Sequence, residues 1–106
     1  AEMYLAREAA AAILDRLAEE GSAGVDHGEE RGPKLYATKW TVVERSKRVV
    51  DIALDVSGGA GMFKGNELER LYRDVRCGGF HPANDALTHE LVGKAALGIL
   101  TERPRW

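Results

Sequence analysis

Few residues in this chain stand where their chemistry could be used. His81 sits between Gly78-Gly79-Phe80 and Pro82, so an imidazole, a group able to take or give a proton, lies in a loop or at a helix cap. Cys77, His81 and His89 could be joined with Asp85 or Glu90 as metal ligands, but their positions match no standard ligand spacing, and the sequence predicts no metal site. Cys77 is the single cysteine and can form no internal disulfide, which fits a reducing cytoplasm. His27 falls in a polar stretch and reads as solvated. Gly58-Gly59-Ala60-Gly61 is glycine-rich but follows a helical pattern, whereas a dinucleotide fingerprint follows a strand. It reads as a helix cap and turn. Phosphate-binding Walker loops, paired-cysteine metal patterns and serine nucleophile elbows are absent from the sequence.

These residues must be positioned by helices, because no segment shows the alternation of a strand. From Glu2 to Glu20 the chain is rich in Ala, Leu, Arg and Glu, with Leu5, Ala9, Ala12, Ile13 and Leu17 on one helical face. This helix starts without a capping residue, so it is expected to begin further upstream, with the chain a fragment. Residues 21–34, with four Gly and one Pro, read as a mobile surface loop. A second helix, Leu35 to Ser57, carries Leu35, Val42, Val49 and Val56 beside Tyr36, Trp40, Val43, Val50 and Leu54, a stripe that needs neighbours on two sides. Asn66, with Glu69 three residues on, predicts a capped third helix that ends at Cys77. A fourth runs from Asn84 or Asp85 to Leu100, with Pro104 terminating it.

The expected fold is therefore one all-α domain over residues 1–106, an antiparallel, up-and-down helical bundle. Its charge, 15 Lys and Arg against 17 Asp and Glu, is −2, and it lacks the basic field that nucleic acid requires. Its apolar runs are too short for a membrane span, and Ala1-Glu2-Met3-Tyr4 has no signal-peptide character, so a cytoplasmic location without membrane contact is expected. A helix apolar around more than half its circumference, in a chain with few other elements, predicts self-association.

The run from Asp51 to Arg76, DIALDVSGGAGMFKGNELERLYRDVR, resembles the C-terminal helical domain of acyl-CoA dehydrogenases, with its "GG-x-G" turn and "ER-L-x-RD" helix. That resemblance implies the closing bundle of an FAD flavoprotein several times longer. It implies a homo-oligomer, dimer or tetramer, in which the turn meets the FAD of the neighbouring subunit. Gly58 and Gly59 match the turn, and Asp55 stands where the family has Gln. With Asn84 they are the cofactor-binding candidates. Arg73 and Asp74, the "RD", read as structural. The family's catalytic Glu lies in an "EGT" loop before the last helix, where this chain has Pro82. A branch of the same fold, the reduced-flavin hydroxylases, has a His seven residues after that Asp. His81 matches it and is the catalytic candidate. The implied function is the C-terminal part of a flavin-dependent acyl-CoA dehydrogenase, with acyl-CoA as substrate. The alternatives are a reduced-flavin hydroxylase of this fold or a free-standing helical oligomerisation module. The isolated chain is expected to hold little or no flavin and to catalyse nothing alone, because the flavin is gripped mainly by other domains.

Overall fold

Helix α2, Arg31–Ser57, is the spine against which every other helix packs. Helix α1, Glu2–Ser22, runs antiparallel to it: Glu2 at its start pairs with Arg48 late in α2, while Glu20 near its end bonds His27 just before α2. Helix α3, Glu67–Cys77, returns along α2 and ends beside Lys39 and Val43. Helix α4, Asp85–Ala96, starts beside Trp40 and runs back toward Pro33. The computed structural model describes residues 1–100, and among these there is no strand. The protein is all-α. The stripe on α2 does meet neighbours on more than one side, α1 on one flank and α3 and α4 on others.

The irregular link between α1 and α2 is only Ala23–His27, narrower than the expected loop over 21–34. Two local effects shorten it. At the end of α1, the Val25 amide donates to the Glu20 carbonyl (2.9 Å) and the Gly24 amide to that of Gly21 (3.2 Å), which completes a helix stop and keeps Gly21 and Ser22 helical. Helix α2 then begins at Arg31, not Leu35, because Pro33 lies in the first turn, where a helix asks for no backbone donor. Helix α4 likewise stops at Ala96 rather than Leu100. Gly98 takes a left-handed φ of 68°, and Ile99 and Gly98 donate to the carbonyls of Lys94 and Ala95 (2.9 and 3.1 Å). Pro104, the expected terminator, lies outside the described residues.

Asn66 caps α3 as expected, its side-chain oxygen accepting from the Leu68 amide at 2.9 Å. Glu69 does not complete a capping box. Its carboxylate takes the Arg73 guanidinium instead, Nε to Oε1 at 2.6 Å. The Asn66 side-chain Nδ2 also donates to the Ala60 carbonyl at 3.2 Å, which ties the glycine turn to α3. Asn66→Ala should therefore cost about 1 kcal/mol. Thermal denaturation of the full-length protein should show a lower Tm, and Asn66→Asp should recover most of the cap but not the Ala60 contact.

The core is thin. The described residues extend 48 × 31 × 21 Å, about two helix diameters at the narrowest. Among the described residues only Ala6, Thr38, Gly61, Ala83, Thr88 and Leu91 are buried, whereas Tyr4, Leu5, Leu14, Val56, Met62, Phe63 and Phe80 are exposed.

Candidate functional site

Two places in the fold collect the residues singled out above. The first is the turn after α2. Its last carbonyls need partners: the Gly58 amide donates to the Leu54 carbonyl and Ser57 Oγ adds a second bond to it at 3.0 Å. Gly58 has φ 68° and ψ −160°, a conformation that side chains disfavour. The chain then makes a 3-10 turn over Gly58–Met62. A Cβ on Gly58 or Gly59 would meet nothing within 4 Å, so this chain itself does not require glycine's small size at Gly59; the turn's outer surface is open to an approaching group. Gly61 is the opposite case, buried with Leu54, Ser57 and Leu68 close about it.

Asp55 is exposed and borders the same open depression as Gly58, Gly59, Arg48, Asp51, Met62 and Tyr72. Arg48 is already paired with Glu2, and among the described residues Asp55 has no ion pair. The depression thus offers backbone and two carboxylates, Asp51 and Asp55. FAD fits this surface in part: the glycine backbone suits close approach, and the carboxylates suit its hydroxyl donors but repel its pyrophosphate.

The second place is the connection from α3 to α4, residues 78–84, and it is tightly organised. Phe80 and His81 amides both donate to the Cys77 carbonyl, at 3.1 and 3.0 Å. Lys39 reaches across from α2, and its ammonium donates to the carbonyls of Gly78 (2.9 Å), His81 (2.9 Å) and Ala83 (2.7 Å). Ala83 is buried at 6% exposure, which anchors the far end. Asn84 caps α4, its side-chain oxygen accepting from the Leu87 amide at 3.0 Å. That oxygen is committed to the helix, and its side-chain amide is what it has left to offer a cofactor.

His81 is exposed, and its Nδ1 lies 2.7 Å from the Pro82 carbonyl. A carbonyl oxygen only accepts, so Nδ1 carries a hydrogen, and in the neutral ring Nε2 keeps the lone pair. Phe80 beside it is 79% exposed. Behind the loop, Trp40 Nε1 donates to the Asp85 carboxylate, His89 Nδ1 bonds the Asp85 carbonyl at 2.8 Å, and the Trp40 and His89 rings meet edge-on at 5.2 Å. His89 thus helps fasten α4 to α2. No group of three or more His, Cys, Asp or Glu among the described residues could hold a metal ion.

Arg73 and Asp74 do not pair with each other. Arg73 bonds Glu69, and that hydrogen bond and charge raise the guanidinium pKa above its ordinary value. Asp74 takes Arg70 at 2.8 Å. Both are surface pairs along one helix, in line with the structural role expected of them. Lys39 is the residue that sequence reasoning missed. A signal existed: Lys39 stands between Leu35 and Val43 at four-residue steps, where a cation needs acceptors.

The sequence profile described as "Acyl-CoA dehydrogenase, C-terminal domain" matches residues 1–97, and the chain belongs to that family. Among curated proteins it is similar to an amino sugar nitrososynthase of Streptomyces peucetius, 37% identical over 98 residues, covering 91% of this chain and 24% of the relative. It is also similar to the L-evernosamine nitrososynthase of a Micromonospora species, 45% identical over 67% of this chain and 18% of that protein. A 3-(aryl)acrylate reductase of Clostridium sporogenes is 38% identical over 49% of this chain and 14% of its own length. The chain thus spans about a quarter or less of the length of these relatives. No solved structure gives a significant match. No helix among the described residues is long and apolar enough to cross a membrane.

Proposed function

We propose that this chain is the C-terminal helical domain of a flavin-dependent oxidoreductase whose whole protein oxidises the amino group of an amino sugar. The loop between α3 and α4 carries the reading: it presents an exposed imidazole, His81, and Pro82 where the dehydrogenases of this family hold a carboxylate. The two relatives that align over most of the chain are named nitrososynthases, one for amino sugars, which supports the same branch. In this role Nε2 of His81 accepts a proton from the substrate ammonium, freeing the nitrogen lone pair for oxidation. Gly58 and Gly59 give the FAD of a neighbouring subunit a backbone surface on which Asp55 accepts from its hydroxyls, and the Asn84 amide donates toward the FAD of its own subunit. When bound, reduced flavin supplies the two electrons that split dioxygen, one oxygen atom going to the substrate nitrogen and the other leaving as water. The apolar side chains left exposed on α1, on α2 and in the glycine turn belong to interfaces, with the protein's other domains and in a homo-oligomer.

The dehydrogenase reading has specific observations of its own, the family match over residues 1–97 and the similarity to a putative acyl-CoA dehydrogenase of Bacillus subtilis, 38% identical over 58% of this chain, and predicts oxidation of an acyl-CoA with the base supplied from outside this chain. One assay pair separates the two. The full-length protein should convert an amino sugar to hydroxylamino and nitroso products when given reduced flavin and dioxygen, and should leave acyl-CoA unoxidised in the presence of an artificial electron acceptor. The reverse pattern would establish the dehydrogenase.

A further inference from the structure

The α3 to α4 loop lacks regular structure over Gly78–Asn84, yet three of its carbonyls converge on one side chain. An ammonium has three N–H donors in a tripod, and Lys39 uses each on a different loop carbonyl, those of Gly78, His81 and Ala83, at 2.7–2.9 Å. The first is at the end of α3, where the helix leaves carbonyls unpaired and its dipole favours a cation. The other two flank Pro82, so the ammonium spans the segment that carries the imidazole. Gly78 lets the loop come this close: a Cβ there would lie 2.9–3.0 Å from the methyls of Val43, one turn along α2 from Lys39. From α2, the longest and most central helix, a single charge fixes both sides of His81.

We propose that Lys39 is a positioning residue for His81: it holds the loop so that Nε2 meets the substrate, and it touches neither substrate nor flavin. This rests on the role of His81 proposed above. Chemistry depends on Lys39 because a reacting group displaced by about 1 Å can cost on the order of 10²-fold in rate. Arginine cannot replace it. A guanidinium keeps its donors in one plane, whereas these three carbonyls are approached from a tetrahedral head.

The test uses the full-length flavoprotein with reduced flavin, dioxygen and an amino sugar, comparing Lys39→Met, Lys39→Arg, His81→Ala and Lys39→Met with His81→Ala. Lys39→Met should lower kcat at least about tenfold while leaving KM for the amino sugar nearly unchanged, since an interaction that aligns the reacting group is realised only in turnover. Combined with His81→Ala it should add less than about twofold to the loss from His81→Ala alone, because the two act through one group. A loss that multiplies in the double variant, or a wild-type kcat in Lys39→Met beside a collapsed His81→Ala, overturns the positioning role and leaves the reading of His81 intact. An unimpaired His81→Ala overturns both. If Lys39→Met does not fold, Lys39→Arg decides: reduced kcat at unchanged KM and Tm supports the proposal, and wild-type kcat overturns it.

Discussion

His81→Ala in the full-length protein is expected to cut amine oxidation about 10²-fold or more, the usual size of a general acid or base contribution. The reason is local. His81 is exposed, its Nδ1 hydrogen is committed to the Pro82 carbonyl, and Nε2 of the neutral ring is left to take a proton. No carboxylate lies in Gly78–Asn84 to take over the proton. Flavin consumption should continue, with reducing equivalents released as hydrogen peroxide rather than stored in product. Product yield and peroxide measured together check this. Unchanged coupling in His81→Ala would remove the imidazole from the chemistry. His89→Ala is the control: it sits on α4 behind the loop against Trp40 and should weaken the α2 to α4 contact without uncoupling the reaction.

Gly78→Val is expected to cost about 3 kcal/mol, the upper part of the range for overpacking a filled contact. Gly78 has ordinary helical φ and ψ, so the penalty is not in the backbone. It comes from Val43, whose methyls lie 2.9 and 3.0 Å from where the first side-chain carbon would sit. A β-branched side chain in a helix has one strongly preferred rotamer and cannot swing aside. The end of α3 must then move off α2 and carry the Gly78 carbonyl away from Lys39. Unfolding of the full-length protein followed by circular dichroism should show the loss. Val43→Ala combined with Gly78→Ala should restore most of it, because the space returns. A Gly78→Val protein as stable as the parent would show that α3 and α2 are not held as closely as described.

Helix identity is written in the sequence because it depends on residues three and four apart: the Leu5 to Leu17 stripe, the α2 stripe and the Asn66 cap each specify their own segment. Family membership is also legible, since "GG-x-G" and "ER-L-x-RD" are contiguous strings. Helix ends are less so. Gly32 and Pro33 look like breakers, but their place in the first turn of α2 makes them harmless, and Gly98 stops α4 through backbone bonds that a side-chain pattern does not show. The site is split the same way. His81, Asp55, Gly58, Gly59 and Asn84 are candidates that the family resemblance proposes from short stretches of sequence. Three features required the tertiary structure: Asn84 spends its oxygen on a cap, Asp55 shares an open depression with Asp51, and Lys39 holds the His81 loop. Lys39 and the carbonyls it binds are 39 to 44 residues apart in the chain. No local pattern encodes such a contact, which forms only when α3 and α4 fold back along α2 and bring unpaired carbonyls to a cation on that helix.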